Sequence, residues 1–167
     1  GFTLIELLIV ISIISVLVTV GLVSFRSSQM RGRDVQRKSD LKQIANSLEI
    51  FYSDYRKYPA SIGGQLSACP YNSGSASGTA CSWGSSEFTD SRNIYFKVMP
   101  KDPSTGYFYY YRILDSPSNQ KYQLFARVEN TEDKNCINGN CVSPVTYSCG
   151  VKTCNFAITS TNTKATE

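Results

Sequence analysis

Residues 2–25 read FTLIELLIVISIISVLVTVGLVSF, and this stretch decides the fold. Its only charged residue is Glu6, and nineteen uncharged residues follow that glutamate. As a helix the stretch is about 36 Å long, enough to cross the roughly 30 Å hydrocarbon core of a bilayer. A cleaved signal peptide would have a basic start and a shorter apolar core, so a membrane-inserted helix is the better interpretation. A plain anchor carrying a monomeric extracellular binding domain stays open as an alternative.

The carboxylate of Glu6 is costly in this setting, at about 2–3 kcal/mol when it is buried in lipid. A positive partner offsets that cost, and an α-amino group at the chain terminus is about one turn away. Within one helix the amine points along the axis, so the contact is poor. Between copies that are staggered lengthwise, the amine of one chain can meet the carboxylate of the next. Glu6 therefore predicts self-assembly in a defined register.

The helical pattern continues beyond the apolar run. Apolar residues recur at the i, i+3, i+4, i+7 spacing of an amphipathic helix. They are Leu41, Ile44, Ala45, Leu48, Phe51, Tyr52 and Tyr55. Polar residues, Ser47 among them, fill the opposite side, and Pro59 ends the pattern. We therefore predict one helix over about 2–58 whose second half packs on a head while its first half protrudes.

Charge is concentrated just after the apolar run. Residues 26–58 carry eight Lys and Arg against four acids, whereas the chain from residue 59 onward carries nine against eight. The basic segment 26–42 has two open interpretations: it binds anionic headgroups, or it pairs with acids on neighbouring subunits. A nearly neutral head gives no support for a nucleic acid partner. The chain has no histidine, which disfavours hydrolases and metalloenzymes, so no enzyme is predicted.

The chain from residue 59 onward is predicted to form a small antiparallel sheet on the helix, an α+β fold. Residues 107–114 (YFYYYRIL) and 122–128 (YQLFARV) are typical of strands, with turns at 103–106 and 116–119 and a third strand near 155–159. Alternation between core and surface explains the tyrosine run, and an aromatic platform for bases or electron transfer is the alternative. The predicted parts are a hydrophobic helix (1–25), its amphipathic continuation (26–58) and a disulfide-bonded globular head (59–167).

All the cysteines lie in the head, which indicates folding in an oxidising compartment. They are Cys69, Cys81, Cys136, Cys141, Cys149 and Cys154. Six cysteines allow fifteen pairings, among which local pairing is the simplest and Cys69–Cys81 the most secure. Zinc binding by the two Cys-x4-Cys units is an alternative. Residues 67–86 are interpreted as a surface loop held by its own disulfide, with Trp83 near its rim.

The opening residues, GFTLIELLIV at 1–10, resemble the signature of type IV pilins and type II secretion pseudopilins. The resemblance implies a pilin fold, peptidase cleavage between Gly1 and Phe2, N-methylation of Phe2, and a role for Phe2 and Glu6 in filament assembly. Processing before Gly1 is the alternative. In that family the helix often melts locally in the filament, here expected around residues 15–24 near Gly21, and an unbroken helix is the alternative.

The same resemblance implies partners and a location. The partners are copies of the chain in a helical homopolymer, the inner-membrane assembly machinery, and the prepilin peptidase and methylase. The monomer is expected in the cytoplasmic membrane and the polymer as an extracellular filament at the cell surface. We predict a major pilin, with roles such as adhesion, motility or DNA uptake.

A second likeness favours a related function. The segment Met-Pro-Lys-Asp-Pro at 99–103, followed by Gly106, Tyr107 and Tyr109, resembles a turn and strand of major pseudopilins, with Ser104 where that family usually has Trp. A major pseudopilin of type II secretion is therefore the alternative. In some of those proteins a following loop binds calcium, and the corresponding candidate ligands are Glu129, Glu132, Asp133 and Asn135. They do not follow EF-hand spacing, and no other cofactor is expected.

Overall fold

A computed structural model of the protein describes residues 1, 3–73, 78–139, 141–142 and 144–167, without the side chains of residues 20, 21 and 23. The dominant element is one helix, α1 (Leu4–Tyr55), of 52 residues and about 78 Å. It starts two residues later and ends three residues earlier than predicted. Arg56 in the left-handed conformation ends it, with its N–H donating to the Tyr52 carbonyl at 2.8 Å.

The two halves of α1 differ in burial as predicted. The described side chains up to residue 26 are all exposed, whereas Leu41, Ile44, Leu48 and Phe51 have no exposed surface. One expectation was wrong: Ser47 is buried, because its hydroxyl donates to the Ile44 carbonyl at 2.7 Å and needs no water. The helix is continuous through residues 15–24, and melting there in the assembled state stays a prediction.

The three predicted strands form one antiparallel sheet. They are β5 (Tyr110–Ile113), β6 (Tyr122–Ala126) and β7 (Phe156–Thr159), with β6 in the centre. β5 begins three residues later than predicted, because Tyr107 pairs with Gly150 and the Phe108 N–H donates to the Cys149 carbonyl instead. The sheet packs on α1 through β6 and β7, which confirms the α+β architecture.

Four further short strands form two hairpins that were not predicted. They are β1 (Ser61–Ile62), β2 (Gln65–Leu66), β3 (Phe88–Thr89) and β4 (Ile94–Phe96), pairing as β1–β2 and β3–β4. Gly63 and Gly64 join the first pair, both with positive φ, as a two-residue hairpin turn requires. A 3₁₀ turn at Ile137–Gly139 completes the regular structure of the described residues.

The core lies between the apolar stripe of α1 and the sheet. Tyr109 and Tyr111 point inward with no exposed surface, whereas Phe108 is exposed and Tyr110 half-buried. This alternation gives the tyrosine run a packing role.

The disulfides join Cys69 to Cys81, Cys136 to Cys141, and Cys149 to Cys154, so every bridge is local in sequence. The three-part division at residues 25 and 58 stays a prediction.

Candidate assembly interface

The N-terminal half of α1 presents a continuous apolar surface. Leu4 is 82% exposed and Leu17 66%, and an 18-residue window here has a mean hydropathy of 2.8 with none of it buried. By length and composition, α1 is able to cross a membrane. No other part of the described molecule covers this surface. It is the surface that a bilayer or another protein must cover.

Three hydroxyl groups within this half form hydrogen bonds inside the helix. The hydroxyls of Ser12, Ser15 and Thr19 each donate to a backbone carbonyl of the preceding turn at 2.7 Å. Such internal bonds remove the cost of placing a hydroxyl in lipid or in a dry interface. These three hydroxyl groups therefore do not oppose burial of the apolar half.

Glu6 lies at the first turn of α1 and forms a capping box with Thr3. Its Oε2 accepts from the Thr3 backbone N–H at 2.9 Å and from the Thr3 hydroxyl at 2.7 Å. The Glu6 N–H donates back to the Thr3 hydroxyl oxygen at 3.3 Å. The sequence carries the signal for this cap, Thr-x-x-Glu before an apolar run, but our sequence analysis missed Thr3. Oε1 of Glu6 accepts no hydrogen bond within the described residues.

Of the two residues predicted for processing, Gly1 is exposed, and Phe2 lies outside the described residues. The structure therefore places one of the two predicted assembly residues, Glu6, at the outer end of the apolar half. A contact between the amine of Phe2 and the carboxylate of Glu6 stays a prediction.

A buried ionic cluster fixes the head to α1 where the exposed half ends. Arg37 has no exposed surface, and its guanidinium donates from Nε and Nη2 to Asp102 at 2.7 and 2.8 Å. Nη1 donates to Asp34 at 2.8 Å and to Glu129 at 2.7 Å, and Nη2 also reaches the Ser104 hydroxyl. The charges of this cluster are paired and hydrogen-bonded, which is what a buried cation requires. Sequence analysis missed this cluster.

Two more cations of the basic segment bind the head. Arg33 donates to both carboxylate oxygens of Glu129 at 2.8 and 2.6 Å, and Lys38 pairs with Asp133. The hydrogen bond from Arg33, joined by one from Arg37, lowers the pKa of Glu129 to about 2 although burial opposes the shift. Half of the basic segment therefore binds carboxylates of its own head, an arrangement that neither sequence interpretation anticipated.

The calcium candidates are not brought together as a ligand set. Glu129 and Asp133 are bound by arginine and lysine, whereas Glu132 and Asn135 are exposed. In the described part of the chain, no group of three or more His, Cys, Asp or Glu side chains is placed to hold a metal ion. Glu129 and Asp133 act here as partners of α1.

Comparison with known proteins adds two findings. Residues 1–22 match the family model of the prokaryotic N-terminal methylation motif. Over 58 residues the chain is 36% identical to the type IV major pilin protein PilA of Myxococcus xanthus (strain DK1622), a match that spans 35% of this chain and 26% of that pilin. No solved structure matches. The motif and the relative, joined to the long exposed helix and its disulfide-bonded head, support membership of the type IV pilin and pseudopilin family.

Proposed function

We propose that this chain is a structural subunit, without enzymatic activity, that polymerises into an extracellular type IV pilus. The observation that carries the proposal is the fully exposed apolar half of α1. Residues 4–25 span about 33 Å, so a bilayer covers them in the monomer. Once the chain leaves the membrane, only the same surface of other copies offers an equal apolar cover. Because successive copies are staggered lengthwise, the contact is head-to-tail and does not close, so it yields a filament.

Glu6 sets the register between copies in this proposal. Its Oε2 is held by Thr3 while Oε1 is unengaged within the described residues, so a cation from the next copy can bind without opening the cap. Cleavage between Gly1 and Phe2 supplies that cation as the methylated amine of Phe2. A buried carboxylate without such a partner costs several kcal/mol, so copies in the wrong register are disfavoured.

The proposed location and partners follow from this route. The monomer is stored in the cytoplasmic membrane, processed by a prepilin peptidase and methylase, and passed by inner-membrane machinery to the filament at the cell surface. The head, residues 59–167, forms the outer surface of the filament. Whether the filament serves adhesion, motility or DNA uptake depends on proteins outside this chain.

The test is electron microscopy of filaments sheared from cells that express the wild type, Glu6→Gln, Glu6→Ala or Glu132→Ala. Glutamine still accepts from Thr3 and keeps the cap but loses the charge, so Glu6→Gln separates capping from register. Glu132 is an exposed acid that forms no ion pair in the described residues and serves as the matched control. We expect filaments from the wild type and Glu132→Ala only. Normal filaments from Glu6→Gln would refute the role of the charge.

A second candidate is a major pseudopilin of type II secretion. The resemblance of the segment at 99–103 to major pseudopilins favours it, and Asp102 of that segment binds the buried Arg37. Deletion of the gene should then stop secretion of exported enzymes and leave surface pili unchanged. If the wild type forms no filament while the chain stays in the membrane, a monomeric anchored binding domain becomes the better account.

A further inference from the structure

The end of the head that faces the apolar half of α1 is built from three loops. The loops at 102–104 and 129–133 bind the first side chains of the helix that reach the head, which are Arg33, Asp34, Arg37 and Lys38. The loop at 150–152 lies beside them, because Gly150 pairs with Tyr107, over whose ring Arg37 sits at 5.7 Å. The opposite end of the head contacts the C-terminal turns of α1 through Asp90 and Gln120. The three loops therefore lie closest to the membrane segment.

Exposed cations surround this end of the head. They are Lys101, directly before the first loop, Lys134, directly after the second, and Lys152 on the third, with Arg26 and Arg31 on the helix just below. Among the described residues none of the five forms an ion pair. Val151, which is 72% exposed, adds an apolar contact beside Lys152. We call these six residues the basal face.

The acids of the same region do not neutralise the basal face at its surface. Asp34, Asp102, Glu129 and Asp133 each bind Arg33, Arg37 or Lys38. The three buried or half-buried cations offset three of these four negative charges, and the five exposed cations outnumber the one that is left over. Glu132 is the remaining exposed acid of the 129–133 loop. What this end presents outward is therefore a net positive surface with one apolar side chain.

We propose that the basal face docks on the anionic phospholipid surface of the bilayer that holds the monomer, which rests on the proposed membrane-stored state. Arg26 directly follows the apolar run, Arg31 is about 9 Å beyond Phe25, and Arg37, at the level of the loops, is about 18 Å beyond it. The headgroup layer is roughly 5–7 Å thick, and fixed charges act over about 8 Å more. For an upright helix the loops lie about 3–5 Å beyond that reach, and a tilt of the helix closes this gap. The membrane is the surface that this face meets first.

Docking holds the head against the membrane until the chain is extracted. Each Lys or Arg near an anionic surface raises the docked population about fivefold, so three lysines have a large joint effect. The attraction falls as salt screens it. Neutral lipid leaves only the contact of Val151, which is too small to hold the head. The proposal therefore predicts dependence on lipid charge, on salt and on the lysines together.

The experiment uses the full chain in vesicles and its single tryptophan, Trp83, as the energy donor to dansyl-labelled lipid headgroups. Trp83 packs on Tyr109 at 5.7 Å, and the Tyr109 hydroxyl binds Asp40, about one turn above Arg37. Energy transfer from Trp83 therefore reports how close the head lies to the bilayer. We expect more transfer in phosphatidylcholine mixed with phosphatidylglycerol than in phosphatidylcholine alone, with the difference lost at high salt.

Two triple variants sharpen the test. The basal variant Lys101→Gln, Lys134→Gln and Lys152→Gln should lose the dependence on phosphatidylglycerol. The matched control removes three exposed cations elsewhere in the head, through Arg92→Gln, Lys97→Gln and Lys164→Gln. It should behave as the wild type, because all three lie near the far end of α1. Arg92 lies between β3 and β4, and Lys97 directly follows β4. Lys164 is two residues from Asn162, which donates to the Gln120 carbonyl at that end.

The outcomes separate docking from insertion. Equal transfer in neutral and anionic vesicles, or an unchanged response in the basal variant, overturns the docking proposal. Alkaline extraction followed by flotation tests insertion in the same samples. A chain washed off the vesicles contradicts the membrane-stored monomer itself, whereas an inserted chain with transfer independent of lipid charge contradicts docking alone.

Discussion

Arg37 and Asp102 form a two-pronged ion pair with no solvent access to the guanidinium, joining the middle of the long helix to a turn 65 residues away. The pair closes the head over α1 at the level where the exposed half of the helix ends. Asp34 strengthens the same junction, because its carboxylate also accepts from the backbone N–H groups of Glu129 and Asn130 at 2.8 Å. Any pull on the apolar half of the helix therefore reaches the head first through this cluster.

Removing Arg37, the central cation of the cluster, should strongly lower the free energy of unfolding of the head. Arg37→Met leaves Asp34 and Asp102 buried without their partner, which costs about 3–5 kcal/mol of the free energy of unfolding. The measurement is urea unfolding of the full chain in detergent micelles, followed by the fluorescence of Trp83. Arg33→Met is the control, since that pair is partly exposed and its loss costs about 1 kcal/mol or less. Equal losses in the two variants would show that the buried cluster has no special role.

Local patterns sufficed to predict α1 and the sheet strands. The apolar spacing of residues 41–55 and the alternation of 107–114 and 122–128 depend only on neighbours in sequence. Glu6 and Thr3 also form a local motif, so their cap was open to prediction although we missed it. The Gly63–Gly64 turn carried a recognisable hairpin signal as well.

The ionic cluster was not predictable in the same way. Asp34, Arg37 and Asp40 continue the buried stripe at intervals of three residues, but charged residues in such positions usually face water. Only the tertiary fold brings Asp102 and Glu129 to that face, where their carboxylates compensate the charge of the buried Arg37. Sequence analysis therefore assigned the basic segment to lipid or to neighbouring subunits, whereas half of it binds the same chain.

Acid should weaken the junction through Glu129. The pKa of Glu129 is about 2 in the folded chain, lowered from 4.5 first by the hydrogen bond from Arg33. A lowered folded pKa stabilises the fold above pH 4.5, and this contribution is lost as the pH falls from about 4.5 to 2. We expect the free energy of unfolding to fall over that range. Urea unfolding at a series of pH values measures the slope.

The Glu129→Gln variant isolates this contribution, since glutamine does not titrate there. Its stability should depend less steeply on pH below 4.5 than that of the wild type. Asp40 acts in the opposite direction, because burial raises its pKa and acid then favours the folded state. Parallel pH profiles for the wild type and Glu129→Gln would contradict the assignment.

The three disulfides should differ in how much they stabilise the fold, according to the length of the loop that each one closes. Cys69–Cys81 spans 12 residues, whereas Cys136–Cys141 spans 5. Chain entropy then predicts a loss of about 3 kcal/mol when the first pair is replaced by serines and about 2 kcal/mol for the second. Thermal unfolding of the paired variants, with no reductant, compares them. A larger loss from the shorter loop would mean that packing around Cys136 and Cys141 outweighs loop closure.

Two glycines should respond oppositely to alanine. A Cβ at Gly150 would lie 2.0 Å from the Gly106 carbonyl oxygen, and φ at Gly150 is +103°, so Gly150→Ala should cost about 1–3 kcal/mol and open the contact with Tyr107. A Cβ at Gly32, within α1, meets nothing within 4 Å, so Gly32→Ala should stabilise the chain by up to about 1 kcal/mol. Urea midpoints of both variants test the pair. Because Gly32 lies between the exposed and buried halves of α1, a loss of stability in Gly32→Ala would mean that the helix bends or opens there in solution.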